Sequence, residues 1–486
     1  MRALFDDLAR LLASPEGLRT VRLLQAAGLL GGPSRPPEPR PLPRPPWPIS
    51  IWEPREIDGE RAFVRPDPLP LGDHNAATKV LRPKKSELPL RVCFFGESAA
   101  AGYLYAPHLT PAQVLEAQLR AAGGEGSFEV IDLARTNETL PVLTETVRAS
   151  LQINPDVLVI FAGNNWNLLE TPEVSPYAPS VAARQEYARA LREHGPEGPV
   201  RLADERLRRK VSEALGTVAQ IARAVQIPVV LVIPEVNLAD WENRQPPVWL
   251  PGDGTVRWHA LYREAGERID QRDFTGALET LDAMLELDHR QCSSTWSLLV
   301  RAAKAEGSLQ RAKPDAIAAV DTACYATLAF LAVPQITSTA RGALLEAVRD
   351  FGFSCVDLEA VFAAHTGSSL PDRRLFLDYC HLTAEGIQVA MAAVAAEVLN
   401  LSGMLAETVD WRRLLPRLPP PAVSPEAEAT ARLGAAIHTA HRLLPVGPKG
   451  PILEHWCEAA LDASPGVEEA MRDLLDARCS PCPAVL

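Results

Sequence analysis

Three segments of the chain carry residues that could together perform nucleophilic acyl transfer. Ser98 follows a short apolar run that ends at a glycine, and Asn165 follows a second apolar run. Asp378 precedes His381 by three residues. A serine nucleophile, a histidine base, an acid that orients the histidine and an amide that meets the oxyanion are what an acyl-enzyme mechanism needs. The sequence therefore predicts acyl-transfer chemistry that depends on a serine.

The first two segments lie where buried strands are predicted to end. The stretches Arg91–Ser98 and Asn154–Phe161 contain apolar runs typical of strands in a parallel sheet. A tight turn after the first run would lift Ser98 out of the sheet, and a helix expected after it would point backbone N–H groups at the same place. Asp378 and His381, three residues apart on one loop, can both face this serine.

The order of these segments resembles that of the SGNH/GDSL hydrolase superfamily. The resemblance covers residues 88–400, with one large interruption. It implies an α/β fold of the three-layer, flavodoxin-like SGNH type. The blocks that carry it are Gly96-Glu97-Ser98, Gly163-Asn164-Asn165 and Asp378-x-x-His381.

The chain departs from the family pattern at three positions. Glu97 replaces an aspartate beside the nucleophile and keeps its charge. Asn137 stands where the family's oxyanion glycine normally lies; its N–H survives, and asparagine tolerates a left-handed backbone better than most residues. Trp166 occupies the last position of the third block. We expect Trp166, Glu97 and Gly163 to line the substrate pocket.

The resemblance also implies a role for each reacting group. His381 would take the proton from Ser98, while Asp378 would hold the imidazole in the required tautomer and stabilise its charged form. The oxyanion would be met by the N–H groups of Ser98 and Asn137 and by the side-chain amide of Asn165. No metal ion and no cofactor is expected.

The composition favours a soluble, cytoplasmic protein. A net charge of -12 without a basic stripe argues against nucleic acid and against an anionic membrane surface as partners. Acidic residues interrupt the apolar N-terminal segment, so we expect an amphipathic helix there and no secretory signal. No apolar run is long enough for a membrane span. Eight scattered cysteines indicate reduced thiols.

A chain of 486 residues is too long for one ordinary domain, so we expect a core with accessory segments. Apolar spacing from Trp258 to Leu328 is helical and resembles a tetratricopeptide repeat. The C-terminal region is predicted to be helical and shows no catalytic pattern. The expected segments are an N-terminal helical segment (1–32), a proline-rich linker (33–54), two parts of the core (55–254 and 329–400), a helical insertion (255–328) and a C-terminal helical extension (401–486).

Ester hydrolysis through a serine-linked acyl intermediate is the favoured function. The same intermediate could pass its acyl group to a hydroxyl or amine acceptor, and the sequence does not separate the two reactions. A third hypothesis is an interaction protein that keeps the fold without catalysis. The expected substrate is a small-molecule or carrier-linked ester. The helical insertion is expected to form a lid or a docking surface for a large substrate, a carrier or a protein partner.

Overall fold

The computed structural model describes residues 47–69, 78–87, 89–169, 181–195, 197–243, 250, 252–323, 333–404, 407–442 and 450–479. The predicted N-terminal helical segment (1–32) and most of the proline-rich linker (33–54) lie outside the described residues.

Two β-sheets, one antiparallel and one parallel, occur in the described part of the chain. Their strands, in chain order, are β1 (Glu53–Ile57), β2 (Glu60–Val64), β3 (Val80–Leu81), β4 (Leu90–Gly96), β5 (Phe128–Asp132), β6 (Val157–Phe161), β7 (Val229–Ile233) and β8 (Ser354–Asp357).

The parallel sheet has five strands in the order β5-β4-β6-β7-β8. Counted from β4, this is the order 2-1-3-4-5, one of the two common orders of doubly wound α/β sheets. In such sheets the crevice at the carboxyl ends of the strands is where ligands bind. The expectation of a mixed α/β protein is confirmed.

Successive residues of the central strands enter two different hydrophobic clusters. In β4, Cys93 and Phe95 belong to one cluster, and Val92 and Phe94 belong to the other. The strands β6 and β7 divide in the same way. Because both faces are covered, these strands are continuous apolar runs instead of alternating ones. The sheet is therefore the middle layer of three.

In the described part of the chain, α-helices cover the sheet and extend beyond it. In chain order they are α1 (Pro111–Gly123), α2 (Leu140–Ser150), α3 (Trp166–Leu169), α4 (Val181–His194), α5 (Glu197–Ala224), α6 (Gly254–Asp270), α7 (Phe274–Leu287), α8 (Ser293–Glu306), α9 (Leu309–Ala323), α10 (Ser338–Phe351), α11 (Leu358–Thr366), α12 (Ala384–Ser402), α13 (Trp411–Leu414), α14 (Pro425–Arg442), α15 (Gly450–Ala463) and α16 (Val467–Cys479).

Helices of both chain halves cover each face of the sheet. On the side of Val92 and Phe94 lie α1, α12 and α14, and on the side of Cys93 and Phe95 lie α2, α5 and α10. By length and composition α12 could cross a membrane, but most of it is buried inside the protein. It has the environment of a core helix, so the described residues are compatible with a soluble protein.

Four helices, α6 to α9, fall within the stretch predicted to be a helical insertion. The helices α6 and α7 contact each other, as do α8 and α9. A cluster that includes Trp258, Leu281 and Met284 is separate from the two sheet clusters. Val300 and Ala303 of α8 instead join the cluster on the Cys93 side of the sheet. The insertion thus has a small core of its own and packs on the main one.

The antiparallel sheet of β1, β2 and β3 was not expected from the sequence. Its strands are two to five residues long and carry several charged residues, so they show no alternating apolar pattern. Three apolar side chains at or beside these strands, Trp52, Phe63 and Leu81, are buried and join a sheet cluster, whereas Val80 is exposed. This small sheet therefore packs on the main domain.

Candidate active site

The turn after β4 places Ser98 at the carboxyl edge of the parallel sheet. Gly96 ends the strand at a φ of +154°, and a Cβ built there would lie 2.0 Å from the carbonyl oxygen of Phe161 on β6. No side chain fits this gap, so glycine is what allows β4 and β6 to approach each other here. The half-buried Ser98 follows two residues later.

The helix expected to follow the turn at Ser98 does not begin at the serine. The residues after it make successive turns, one of them closed by a bond from Tyr103 N to Ser98 O at 3.0 Å. Gly102 and Leu104 have φ values of +71° and +79°, which an α-helix does not accommodate. The next helix, α1, begins only at Pro111.

Ser98, His381 and Asp378 form a continuous chain of hydrogen bonds. His381 Nε2 lies 2.9 Å from Ser98 Oγ, and His381 Nδ1 lies 2.7 Å from Asp378 Oδ2. An ionised carboxylate only accepts, so Nδ1 carries the proton and Nε2 accepts from the serine hydroxyl. His381 is thus placed to act as a base towards Ser98.

A tight loop holds the acid and the base side by side. Leu377 N donates to His381 O at 2.8 Å and closes the loop. Within it, Asp378 Oδ1 accepts from the N–H groups of Cys380 and His381 at 3.0 and 2.9 Å. Thr383 then caps the start of α12. The three-residue spacing lets the backbone itself orient the carboxylate.

A second imidazole contacts the same carboxylate. His438 of α14 places Nδ1 2.7 Å from Asp378 Oδ2, the oxygen that also faces His381. Asp378 is 1% exposed, and burial by itself raises its pKa. His381 and His438 outweigh burial and hold the pKa of this carboxyl well below its usual range. Asp378 is therefore ionised at neutral pH.

His438 was not predicted, because the C-terminal extension showed no catalytic pattern in the sequence. Its contact with Asp378 spans 60 residues, so no local motif contains both. Helical spacing is the signal that could have indicated His438. Ala431, Ala435 and His438 share the face of α14 that points inward. A titratable ring on a buried face indicates a polar partner.

The nitrogen and oxygen atoms of Asp378, His381 and His438 are also close enough together to hold a metal ion. The two nitrogen–oxygen separations of 2.7 Å are hydrogen-bond distances. To ligate a metal, both Nδ1 atoms would have to lose the protons that they share with the carboxylate. We therefore assign the arrangement to hydrogen bonding.

Glu97 connects the turn at Ser98 to the loop after β6. Its carboxyl is 1% exposed and accepts from the N–H groups of Gly163, Asn164 and Asn165 at 3.2, 2.8 and 3.1 Å. Burial raises the pKa of Glu97 to about 8, although these three N–H groups oppose the shift. Glu97 thus aligns two strand ends as a neutral carboxyl below about pH 8, without the charge expected from the sequence. Its expected part in the substrate pocket stays a prediction.

We expect Glu97→Gln to flatten the dependence of stability on pH. In the wild type the folded Glu97 keeps its proton up to about pH 8, whereas the unfolded chain loses it near the usual pKa of 4.5. The folded state binds more protons in this window, so stability falls as pH rises through it. Urea unfolding at several pH values in this window measures the slope for both proteins. Equal slopes would show that Glu97 does not titrate in this way.

Asn137 and Asn165 both reach the sheet edge that carries Ser98. Asn137 lies in an exposed turn after β5 with a φ of +57°, the left-handed conformation. The chain approaches it alongside β4, because Arg135 N donates to Gly96 O at 3.0 Å. Asn165 is 3% exposed and follows β6. The backbone therefore places both residues at the carboxyl edge of the sheet, and their expected part as oxyanion donors stays a prediction.

Gly163 and Trp166, which flank Asn164 and Asn165 in the sequence, face the protein interior. Gly163 has a φ of +142°, and a Cβ there would lie 3.2 Å from Ile336 and from Leu344. Trp166 is 1% exposed and belongs to the cluster on the Cys93 side of the sheet. Their expected part in the substrate pocket stays a prediction.

The loop of residues 377–381, named the catalytic loop for the roles expected of Asp378 and His381, is supported by the loop after β7. The sequence did not single out the supporting residues. Asn237 Nδ2 donates to the carbonyl oxygen of Asp378 at 3.1 Å, and Asn237 N donates to that of Tyr379 at 3.0 Å. The ring of Trp241 meets Tyr379 edge-on, with centroids 5.1 Å apart. The one available signal was the position of Asn237 shortly after a strand end.

Charged residues connect the helical insertion to the same region. Arg373, which precedes the catalytic loop, binds Asp240 through two N–H groups at 2.7 and 3.0 Å. Lys304 of α8 lies 3.8 Å from the same carboxylate. A cavity of about 80 Å³ between the loop after β7 and the helices α8 and α9 is lined by none of the three residues Ser98, Asp378 and His381.

Comparison of the chain with protein-family models and with curated proteins finds no match. The chemistry that the site supports therefore follows from its own side chains. Three groups are connected by hydrogen bonds: a serine hydroxyl, an imidazole that accepts from it, and a buried, ionised carboxylate that orients the imidazole. These three groups, at the carboxyl edge of a parallel sheet, can carry out nucleophilic attack and proton transfer.

Proposed function

We propose that this protein is a serine ester hydrolase of the SGNH type that works through an acyl-enzyme. One observation carries the proposal: His381 bridges Ser98 Oγ and the buried carboxylate of Asp378 with contacts of 2.9 and 2.7 Å. Nothing in the packing of the sheet requires these three side chains to meet. Their connected geometry is what a serine nucleophile needs for activation.

The first half of the reaction forms the acyl-enzyme. His381 Nε2 takes the hydroxyl proton of Ser98 as Oγ attacks the ester carbonyl. The tetrahedral oxyanion accepts hydrogen bonds from the N–H groups of Ser98 and Asn137 and from the amide of Asn165. Collapse of this intermediate breaks the bond to the leaving alcohol, which receives its proton from the His381 imidazolium. Asp378 stabilises that imidazolium.

The second half releases the acid. A water molecule gives its proton to His381 and attacks the acyl carbonyl. The second tetrahedral intermediate then expels Ser98, which recovers its proton. The substrate we propose is a small-molecule or carrier-linked ester, and the place of action is the cytoplasm.

Acyl transfer to a hydroxyl or amine is the second candidate function, and the burial of the site supports it. Asp378 and His381 are 1% and 2% exposed, and Ser98 is half-buried. A covered site limits the access of water, so an alcohol or amine acceptor can compete at the acyl-enzyme. Product analysis with a p-nitrophenyl ester and an added alcohol separates the two, because only transfer yields the new ester.

A fluorophosphonate probe and p-nitrophenyl acetate test the proposal directly. We expect one probe adduct on Ser98 by mass spectrometry, and phenolate release that disappears in Ser98→Ala. Labelling of the wild type that persists in Ser98→Ala would place the nucleophile elsewhere. A protein that neither labels nor turns over would contradict the proposal and favour a non-catalytic interaction protein on this fold.

Replacing Asn165 with alanine tests the oxyanion site. The N–H of Asn165 is held by Glu97 at 3.1 Å, so the change removes the side-chain amide and leaves the backbone contact in place. We expect kcat to fall by roughly 100-fold to 1000-fold with little change in substrate affinity. Asn137→Gly is the matched control, because it keeps the N–H and the left-handed backbone. Unchanged turnover in Asn165→Ala would remove this residue from the oxyanion role.

A further inference from the structure

A helix of the C-terminal extension reaches the active site through one side chain. The apolar face of α14 buries Ala431, Ala435 and Ala436 in the cluster beneath the nucleophile's turn. A partly buried hydrogen bond fixes the helix there, since Tyr105 Oη donates to Glu428 at 2.8 Å. Tyr105 belongs to the turns that follow the nucleophile. The extension is therefore packed against the segment that presents Ser98.

His438 lies on this helix within a ring of groups from the active site. Its Nδ1 is 2.7 Å from Asp378 Oδ2, and its Nε2 is 3.4 Å from the hydroxyl of Tyr103. The Tyr103 ring stacks on it with centroids 5.4 Å apart, and the Tyr379 ring is nearly parallel to it at 6.1 Å. Because Asp378 is ionised, His438 Nδ1 carries a proton and donates it.

The carboxylate of Asp378 thereby receives a donor at each of its four lone-pair positions. Two are the N–H groups of Cys380 and His381 on Oδ1, and two are the Nδ1–H groups of His381 and His438 on Oδ2. The first three come from the catalytic loop itself. The fourth comes from a helix 60 residues away and is the only one that depends on the C-terminal extension.

We propose that His438 is a positioning residue of the Ser98–His381–Asp378 system, supplied by the C-terminal extension to fix the carboxylate that orients His381. This inference rests on the proposed function. A donor on Oδ2 holds the plane of the carboxylate in line with His381 Nδ1. This donor also withdraws negative charge from Asp378. The hydrogen bond between Asp378 and the Nδ1 proton of His381 is weaker as a result.

Two changes at His438 separate hydrogen bonding from packing. In His438→Asn the amide nitrogen takes the place of Nδ1 and keeps the donor, whereas His438→Leu fills the space without one. We expect His438→Leu to lower kcat with p-nitrophenyl acetate by about 10-fold to 100-fold with KM nearly unchanged, the range for a hydrogen bond to a charged group. His438→Asn should keep most of the activity. Thermal unfolding of both variants verifies the fold.

The pH profile gives a readout that a purely structural role would not move. Among the described residues, the titratable groups in contact with His438 are Asp378, His381 and Tyr379 on the catalytic loop and Tyr103 on the turn. Without the His438 donor, Asp378 holds the imidazolium of His381 more firmly. The acid limb of kcat/KM should therefore move to higher pH in His438→Leu and stay in place in His438→Asn.

Proton spectra of protein labelled with ¹⁵N-histidine test the contact without any need for activity. We expect low-field imidazole N–H signals from His381 and His438, and the second is lost in His438→Leu. His365 also faces a carboxylate, that of Glu385, so the signals are assigned by substitution of each histidine. Low-field signals that all persist in His438→Leu would overturn the inference, as would equal kcat in His438→Leu or an equal loss in both variants. A wild type that shows the His438 signal but neither labels nor turns over would leave the hydrogen bond established, but would overturn its catalytic role together with the proposed function.

Discussion

Replacing Asp378 with asparagine is expected to lower kcat by roughly 10,000-fold, the scale seen when a histidine base is forced into the wrong tautomer. The local geometry gives the reason. Asp378 Oδ1 accepts two backbone N–H groups, so the amide oxygen of an asparagine would remain there. The amide nitrogen would then face His381 and donate to its Nδ1. The ring proton would move to Nε2, which could no longer accept from Ser98.

Steady-state kinetics with p-nitrophenyl acetate measure this loss, and fluorophosphonate labelling reports the nucleophile separately. Asp357→Asn is the matched control. Asp357 caps α11 and pairs with Arg341, and asparagine is an equally good cap, so activity should be preserved. A kcat for Asp378→Asn within tenfold of the wild type would remove Asp378 from its orienting role.

Replacing Gly96 with alanine is expected to destabilise the protein by roughly 3 to 5 kcal/mol, combining overpacking with an unfavourable backbone region. The new Cβ would lie 2.0 Å from Phe161 O and 2.5 Å from the Cβ of Ala100. The first of these atoms is backbone in the neighbouring strand and cannot rotate away. Relief of the clash must separate β4 from β6 and shift Ser98 relative to His381. Activity should fall in the molecules that still fold.

Gly126→Ala isolates the backbone part of this effect, and the difference between the two substitutions gives the steric part. Gly126 also has a positive φ, +75°, but a Cβ there meets nothing within 4 Å. We expect it to cost about 1 to 2 kcal/mol, the penalty of the backbone conformation alone. Urea unfolding gives both values. If the two substitutions cost the same, the close approach of β4 and β6 is not what requires glycine at position 96.

The parts of the site that were predictable from the sequence are those determined locally. Asp378 and His381 lie three residues apart, so one loop fixes their pairing whatever surrounds it. The apolar runs ending at Gly96 and Phe161 predicted two parallel strands, because a strand buried on both faces has no polar alternation. Ser98 and Asn165 follow those strands and thus reach the same edge.

The parts that were not predictable depend on contacts distant in sequence or on backbone conformation. His438 meets Asp378 only because α14 packs on the turns after Ser98, and apolar spacing on a helix does not say which surface it covers. The turns that come before the expected helix depend on a positive φ at Leu104. Leucine rarely adopts this conformation, so the residue type does not predict it. Short, charged strands such as β1 show no periodic spacing of apolar residues, so the sequence does not predict them.

The distances along the chain between the reacting groups have a consequence for biosynthesis. Ser98 pairs with His381 across 283 residues, and Tyr103 approaches His438 across 335. Contacts of such high sequence separation form late, because the entropy of closing the intervening loops must be overcome first. A nascent chain on the ribosome therefore carries Ser98 long before it carries the imidazole of His381. Under the proposed function, the serine can be activated only after the chain has been synthesised through His438 and these distant segments have packed together.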